Sequence, residues 1–353
     1  MARGRVGIRQ VAEAAGVSPT TVSHALNGKG RVTTETRERI QRIAAELGYR
    51  PNASARNLVG GRTGLLGLVV PPTDELLFLA SDVAYFVQIT NAATNVAMKQ
   101  GYGLVVTTVP EDRSSPFGQV EVDGAIVVDP LERDPLVLEL RAAGVPVVTT
   151  GRVLGDEEDG VWVDNDHRAS TRLVLDHLAR HGSRCPALLT NQPSTSFAFE
   201  VEETYAAWCA EHAVEPHLVH VRAGISEDAA AEAARRVLDL RPTCDAAYAT
   251  LDRLALATLH EATRRNVAVP EEFLIAGATD SEAARWSLPS LTVLNLQPDA
   301  LGRSATEALI ALVEGREPDP RQRTVPCEVI ARASTRRRPA GRRPAATAIR
   351  VES

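Results

Sequence analysis

The sequence lacks the long apolar segments of membrane proteins and the motifs of common enzymes. Its apolar runs fall short of the roughly 18 residues that a membrane-spanning helix requires. No apolar stretch of the export-signal type follows the N-terminus. No GxSxG, P-loop, HExxH or GxGxxG motif follows an expected strand. We therefore expect a soluble, cytoplasmic protein with no membrane partner, no enzymatic activity and no cofactor.

Cysteine is scarce, and its spacing shows no metal-site pattern. The chain holds four cysteines, Cys185, Cys209, Cys244 and Cys327. They form no CxxC pair and no Cys/His cluster along the chain, so we predict buried free thiols rather than a metal or redox site. His177 and His181 lie four residues apart on one expected helix, but no third ligand is near them in sequence. That spacing predicts a surface pair.

Charge divides the chain unevenly. Residues 1–62 hold 11 Lys and Arg against 4 Asp and Glu, whereas the whole chain has a net charge of −6, so the remainder carries −13. This basic N-terminus suits a polyanionic partner. Residues 332–353 hold 7 Arg and one Glu and are rich in Pro. We predict a disordered tail there, either simply solvated or in weak contact with phosphate.

Three short helices are predicted within residues 1–50. The apolar spacing of the first helix ends at Gly16, a residue that commonly terminates helices. Ser18 is placed to cap a second helix, which has Pro19 in its first turn and ends near Asn27. A third apolar repeat fills residues 33–48. Two helices joined by a short turn and braced by a third indicate a helix-turn-helix unit.

The second of these helices carries side chains suited to reading DNA bases. In a helix-turn-helix unit its N-terminal residues reach base edges in the major groove, and these are Pro19, Thr20, Thr21, Ser23 and His24. Hydroxyl groups and imidazole can hydrogen-bond to bases, and nearby arginines can attract phosphate. The alternative is that this segment is only a well-capped helix.

A linker, residues 51–62, follows this unit. Asn52 to Leu58 could form one or two helical turns, which are marginal in water and would order on docking. Arg56 would supply phosphate attraction. Leu58 is either an apolar wedge for the minor groove, a device that kinks DNA, or an ordinary surface or domain-contact residue.

Residues 63–331 show a different pattern. Short apolar runs alternate with helical stretches such as residues 168–180 and 228–240; the runs are GLLGLVV, GLVVTTV, GAIVVD, VPVVTT, PALLT, AAYAT and FLIAGA. Buried strands alternating with helices indicate an α/β fold with doubly wound parallel sheets. About 270 residues are too many for one sheet, so we expect two lobes with a ligand cleft between them.

The N-terminal segment IRQVAEAAGVSPTTVSHALNGKGRVTTETRERIQRIAAELGYRPNASARNL closely resembles the LacI/GalR family of bacterial transcriptional regulators. Looser similarity continues through VDGAIVV, VDND, LDHLARHG, LPSLTVL, LGRSATEAL and ARAST. The resemblance implies a headpiece, a hinge helix and a two-lobed core like that of periplasmic sugar-binding proteins. It further implies a homodimer, or a tetramer, that represses by binding a pseudopalindromic double-stranded DNA operator under small-molecule control. A periplasmic solute-binding protein without DNA function is the alternative, which the basic headpiece disfavours.

The resemblance also assigns DNA contacts. It places Pro19, Thr20 and His24 at bases, Thr21, Ser23 and Asn27 at phosphates, and Ala55 and Leu58 in the minor groove. Thr20 and His24 should carry most of the readout, since Pro19 has little to offer a base. Gly7 and Gln10 replace the family's usual Thr and Asp, which weakens the cap of the first helix.

The expected cleft departs from the family pattern. Four polar residues with which relatives hold ligands are replaced, by Gly151, Val201, Leu251 and Thr279. Either the cleft binds a different, less polar effector, or the core has lost small-molecule control and serves as a dimerisation scaffold. The effector residues under the first alternative are Tyr85, Phe86, Arg152, Asp280 and Trp286. Trp286 could equally be core packing. The segment of residues 110–124 is too short for the family's second helix of the first lobe.

Overall fold

The computed structural model describes most of the chain. The described residues are 6–26, 32–49, 62–71, 83–110, 114–118, 120–156, 160–191, 194–221 and 226–336. The chain divides into two compact units, Met1–Gly64 and Leu65–Ser353. Among the described helices, none is long and apolar enough to cross a membrane.

The described part of the N-terminal unit contains three helices, α1 (Ile8–Ala15), α2 (Pro19–Leu26) and α3 (Thr34–Glu46). The Gly7 amide donates to the Gln10 side chain at 2.8 Å, so Gln10 partly restores the weakened cap of α1. Gly16 ends α1 with φ of +64°, a conformation that glycine adopts without steric cost. The Ser18 hydroxyl caps α2 by accepting from the Thr21 amide at 3.1 Å. These features confirm the predicted helices.

The larger unit is an α/β structure whose described residues form two six-stranded sheets. The elements of its first lobe are β1 (Leu65–Val70), α4 (Val83–Lys99), β2 (Gly103–Thr108), β3 (Gly124–Val128), α5 (Pro135–Ala142), β4 (Val147–Thr150), β5 (Val161–Asn165), α11 (Pro298–Val313) and β11 (Gln322–Val325). The strand order is β11-β5-β4-β3-β1-β2, and every described pairing is parallel. Helices α4 and α11 cover one face through an apolar core, and α5 covers the other.

The second lobe repeats this arrangement. Its elements are α6 (His167–Arg180), β6 (Pro186–Asn191), α7 (Ser196–Glu211), β7 (Leu218–Val221), α8 (Glu227–Asp239), β8 (Ala246–Ala249), α9 (Asp252–Arg264), β9 (Leu274–Ala278), α10 (Glu282–Trp286), β10 (Thr292–Asn295) and β12 (Glu328–Ile330). The strand order is β12-β10-β9-β8-β6-β7, with β12 antiparallel to β10. Helices α8 and α9 pack on one face of the sheet, and α6 and α7 pack on the other. The predicted doubly wound, two-lobed core is confirmed. The predicted surface pair on α6 is wrong for His177, which is buried because its Nε2 meets the Thr335 hydroxyl at 2.8 Å; His181 is half-buried.

The chain passes between the lobes after β5, after β10 and after β11. The buried Asn165 side chain ties these three crossings together, because its amide nitrogen donates to the Leu296 carbonyl at 3.1 Å and to the Val325 carbonyl at 3.0 Å. One side chain thus fixes the relative position of the three connecting segments.

Two helices of the first lobe approach unusually closely. A Cβ atom added at Gly302 on α11 would lie 2.5 Å from the Ile89 carbonyl oxygen on α4. Between β2 and β3, the described residues form turns and extended chain without a helix, as the short segment predicted. Phe117 from this connection packs so tightly over β1 that a Cβ at Gly67 would lie 2.4 Å from its ring.

The predicted start of the tail at residue 332 is wrong. Ser334 and Thr335 are fully buried, and the Ser334 hydroxyl donates to the Ile275 carbonyl at 2.6 Å while it accepts from the Thr292 amide at 2.8 Å. The Arg332 guanidinium lies 2.5 Å from the Asp280 carboxylate. Residues 332–336 are therefore part of the second lobe, because their polar groups pair with backbone at its sheet; residues 337–353 lie outside the described part of the chain.

Candidate functional site

Helix α2 presents an uncharged polar surface beside a buried apolar one. Val22 and Ala25 are buried in the core of the N-terminal unit. Thr20 and His24 lie one turn apart on the exposed side, and Pro19 is exposed at the start of the helix. The exposed pair offers hydroxyl, methyl and imidazole groups with no carboxylate, lysine or arginine among them, which suits contact with base edges.

Thr21 and Ser23 are half-buried on the flanks of this surface. The Thr21 hydroxyl lies 2.9 Å from that of Ser18, so it also belongs to the cap of α2. The other predicted DNA-contacting residues, Asn27, Ala55, Arg56 and Leu58, lie outside the described residues. Their assignments therefore stay predictions.

A buried charge network spans the two lobes at the carboxyl ends of β4 and β5. Arg152 of the first lobe lies 3.1 Å from Asp164 and 2.5 Å from Glu200, which belongs to α7 of the second lobe. The His167 imidazole contacts the other oxygen of Asp164 at 2.7 Å. Burial alone would raise the pKa of Asp164, but the His167 hydrogen bond and the charges of His167 and Arg152 outweigh it and lower that pKa. The network therefore holds Asp164 as a carboxylate.

Tyr85 and Asp129 extend this site. Burial and the nearby charge of Asp164 raise the pKa of Asp129, at the end of β3, to about 7. Burial, reinforced by the charges of Asp129 and Asp164, also raises the pKa of Tyr85. Tyr85 packs against the apolar cores of both lobes and meets Phe86 edge-on at 5.3 Å between ring centroids. The structure thus brings Tyr85, Phe86 and Arg152 to one interlobe region.

Several buried polar atoms at these strand ends lack a hydrogen-bond partner within the described part of the chain. They are the Thr150 hydroxyl at the end of β4, the Asn191 side-chain oxygen at the end of β6, and Nδ1 of His167. A buried polar atom without a partner costs roughly 1–3 kcal/mol. These atoms are therefore candidates for contact with a bound polar molecule.

Asp280 and Trp286 do not join this network. Asp280 pairs with Arg285 at 2.8 Å and with Arg332 at 2.5 Å, and these cations outweigh its partial burial and lower its pKa. Trp286 lies at the end of α10 and is 82% exposed. The alternative of core packing is wrong for Trp286, since so little of its ring is covered, and an effector role for it has no support from the contacts.

The four replaced polar positions differ in what surrounds them. Val201 is fully buried in the apolar core beside α6 and α7, and Leu251 packs against the core beneath α8 and α9. Thr279 is buried with φ of +73°. Gly151 is buried with φ of +104°, and a Cβ there would lie 3.2 Å from Pro130. The first two positions offer a ligand no hydrogen-bonding group.

Comparison with known proteins decides the identity of this arrangement. The family described as "Bacterial regulatory proteins, lacI family" matches residues 7–52, and the family described as "Periplasmic binding protein-like domain" matches residues 175–335. The HTH-type transcriptional regulator CelR of Thermobifida fusca is 31% identical over 340 residues, covering 94% of this chain and 99% of its own.

The chain belongs to the LacI family. It is a DNA-binding transcriptional regulator, with a helix-turn-helix headpiece and a core like that of periplasmic binding proteins. A second LacI-family relative, the ribose operon repressor of Halalkalibacterium halodurans, is 26% identical and covers 93% of this chain and 97% of its own. These relatives are regulators rather than enzymes.

Solved structures of the LacI family have the same fold. A transcriptional regulator CelR–cellobiose complex matches with a TM-score of 0.70 at 27% identity, covering 94% of this chain and 100% of that chain. A Lac repressor dimer bound to operator and the anti-inducer ONPF matches with a TM-score of 0.75 at 24% identity, covering 94% and 99%. The predicted fold and family are confirmed.

Sequence reasoning missed four charged or ionisable residues of this LacI-family cleft, namely Asp129, Asp164, His167 and Glu200. A signal for the two aspartates was present, because each directly follows an apolar run, GAIVV or GVWV. Carboxyl ends of parallel strands are where open α/β sheets bind ligands. Nothing in the spacing marked Glu200, which reaches the network from the other lobe.

All four cysteines are free, as predicted; Cys209 and Cys244 are buried, and Cys185 and Cys327 are half-buried. Cys185 and Cys244 lie with their sulfur atoms 3.6 Å apart, and His217 lies beside them. The ligand atoms of these three residues fall within 4.8 Å of one another. Local spacing shows no sign of this cluster because its members precede three different strands of one sheet.

Proposed function

We propose that this protein represses transcription by binding a pseudopalindromic operator as a homodimer, and that a small hydroxylated molecule in the interlobe cleft controls that binding. The exposed pair of Thr20 and His24 on α2 carries the DNA part of the proposal. Two such helices, about 34 Å apart, would enter consecutive major grooves. The operator would be chromosomal DNA in the bacterial cytoplasm.

Selection of operator sequences from a random DNA library tests whether His24 contacts a base. His24→Ala should relax specificity at one position of each half-site by about 1–3 kcal/mol, because one side chain that discriminates bases is removed. His260→Ala, at an exposed position of the core, is the matched control and should leave the selected site unchanged. An equal loss of affinity for random DNA in His24→Ala would make His24 a phosphate contact instead.

The headpiece itself is tested by truncation. Removal of residues 1–62 should abolish operator binding, while residues 65–336, which hold both lobe cores, keep their folded state. Electrophoretic mobility shift measures the first result, and circular dichroism measures the second. Operator binding by the truncated protein would refute the assignment.

The dimer needs an apolar surface, and the second lobe offers one. Trp286 and Leu288, two residues apart, are 82% and 89% exposed, and large exposed apolar side chains commonly mark protein interfaces. Leu288→Asp should shift the protein toward monomer in sedimentation velocity. Leu173→Asp, at a 43% exposed leucine on α6, should leave the dimer intact. A dimer unaffected by Leu288→Asp would place the interface elsewhere.

The polarity of the cleft supports a hydroxylated effector. Asp129, Asp164 and Glu200 can accept from hydroxyl groups, and the unpartnered Thr150 and Asn191 atoms add hydrogen-bonding capacity. The related CelR structure is a complex with cellobiose. These charges favour a polar effector over the less polar one considered from sequence.

A thermal-shift screen of mono- and disaccharides, followed by operator release, tests this part. A sugar that stabilises the protein and releases operator should lose both effects in Asp164→Asn, since that carboxylate is central to the network. Absence of any binder, with operator affinity unchanged by the whole panel, would favour a core that serves only as a dimerisation scaffold.

A further inference from the structure

Three side chains of types that can ligate a metal lie together at the edge of the second-lobe sheet opposite its cleft. Cys185 directly precedes β6, His217 directly precedes β7, and Cys244 lies two residues before β8. These strands are parallel neighbours in the order β7-β6-β8, with Leu188 opposite Leu218 and Pro186 opposite Ala246. The amino ends of adjacent parallel strands share one edge, so the three side chains converge although they are distant in sequence.

The spacing of the donor atoms suits a thiophilic metal ion. The two sulfur atoms are 3.6 Å apart. In a tetrahedral site with metal–sulfur bonds of about 2.3 Å, two sulfur ligands lie about 3.8 Å apart. A nitrogen of His217 lies within 4.8 Å of both sulfur atoms. Rotamer adjustment of the imidazole would therefore complete a three-donor site without a change in the strands.

The His217 imidazole has a nitrogen that can accept a metal ion. Nε2 of His217 is buried and has no hydrogen-bond partner in the described part of the chain. A buried imidazole nitrogen without a partner is costly, and a metal ion would remove that cost. Imidazole and thiolate are the ligands that Zn²⁺ prefers in proteins.

Supporting hydrogen bonds fix the backbone around two of the donors. The Tyr205 hydroxyl accepts from the His217 amide at 2.8 Å and donates to the Pro186 carbonyl at 2.9 Å. The Asp245 carboxylate accepts from the Cys185 amide at 3.1 Å and from the Ser183 hydroxyl at 2.6 Å. Such supporting residues hold ligands in position before the metal arrives.

We propose that Cys185, His217 and Cys244 form a binding site for a thiophilic metal ion, with Zn²⁺ as the ion that this donor set favours. On binding, the two thiols release their protons to solvent, and two sulfur–metal bonds replace two S–H bonds. No oxidant is consumed. Three protein donors leave a fourth position for water or another ligand.

Titration of the reduced, metal-free full-length protein tests this site. Zn²⁺ should bind with one equivalent per chain against a chromophoric chelator, and Co²⁺ should produce thiolate-to-cobalt charge-transfer absorption. Cys185→Ser and His217→Gln should each weaken Zn²⁺ binding by more than about 100-fold, beyond the 10- to 100-fold expected for a supporting residue in Asp245→Asn. Circular dichroism checks that each variant is folded.

Cys327→Ser is the matched control, because Cys327 precedes β12 and is not part of the cluster. It should bind Zn²⁺ as the wild type does. Three results would overturn the proposal: no stoichiometric Zn²⁺ binding by the reduced protein, wild-type affinity in both ligand variants, or equal loss of binding in Cys327→Ser.

Discussion

Replacement of Arg152 by methionine should destabilise the core, because it leaves two buried carboxylates without their shared cation. The side chains of Asp164 and Glu200 are 5% and 6% exposed, and Arg152 contacts both. Removal of one partner from a buried ion pair costs about 3–5 kcal/mol. Methionine keeps most of the length and apolar surface of the arginine stem, so the change isolates the charge.

The expected loss lies below that range, because Arg152 is not the only partner of either carboxylate. His167 still contacts Asp164 at 2.7 Å, and Arg168 still contacts Glu200 at 3.4 Å. Arg152 is also 26% exposed, so water partly screens its charge. We therefore expect Arg152→Met to lower the free energy of unfolding by about 2–3 kcal/mol at pH 7.

Arg172→Met is the matched control. Arg172 pairs bidentately with Glu211, but these side chains are 42% and 50% exposed. Exposed ion pairs contribute little to stability even when their geometry is good, because water and salt screen them. The two substitutions are chemically identical and differ in the burial of the carboxylates that they leave behind.

Urea unfolding of the full-length protein, followed by tryptophan fluorescence and circular dichroism, measures both variants. The loss in Arg152→Met should shrink between pH 7 and pH 5, because carboxylates that have lost their cation are protonated more readily in the folded state. Equal losses in the two variants, or a loss in Arg152→Met that does not change with pH, would refute the reasoning.

Three further predictions concern buried groups and close packing. Asp129 has a pKa of about 7 in the folded state, above its value in the unfolded chain, so the stability it contributes is complete below about pH 4 and is lost as the pH rises to 7. In urea unfolding, the free energy of unfolding of Asp129→Asn relative to the wild type should therefore rise by up to about 4 kcal/mol between pH 4 and pH 8. A difference that stays constant with pH would contradict this. Burial and the neighbouring His181 lower the pKa of His177 to about 4. The stability that His177 contributes is therefore complete above pH 6.5 and is lost as the pH falls to 4. The melting temperature of His177→Gln should decline less over that pH range than that of the wild type. Gly302→Ala should lower the free energy of unfolding by about 1–3 kcal/mol, because α4 and α11 must move apart to admit the new methyl group. Gly118→Ala is the control: an added Cβ there meets no atom within 4 Å, so the free energy of unfolding should change by less than about 0.5 kcal/mol. Equal effects of the two substitutions would contradict the packing argument.

The local features of the fold could be predicted closely from the sequence. The expected helices of residues 168–180 and 228–240 are α6 (His167–Arg180) and α8 (Glu227–Asp239), each within one residue. The seven apolar runs quoted from the sequence all contain strands. Helix caps and apolar periodicity depend on residues within a few positions of each other, so one sequence is sufficient to recognise them.

Features that depend on strand order could not be predicted in this way. Cys185, His217 and Cys244 meet because β6 lies between β7 and β8, and no local spacing encodes that order. The same limit explains the error at residues 332–336. The arginine and proline content of residues 332–353 suggested a solvated tail, whereas Ser334 and Thr335 bond across the second lobe to residues more than forty positions earlier.

Two adjacent residues at the end of β5, Asp164 and Asn165, connect the lobes in different ways. Asn165 binds the carbonyl groups of the other two interlobe crossings, so it opposes sliding of the lobes at their junction. Asp164 faces Arg152, which reaches Glu200 in the second lobe. A ligand that competes for Arg152 would therefore weaken the ionic contact between the lobes and leave the Asn165 junction intact. Rotation about that junction is the motion that this combination permits.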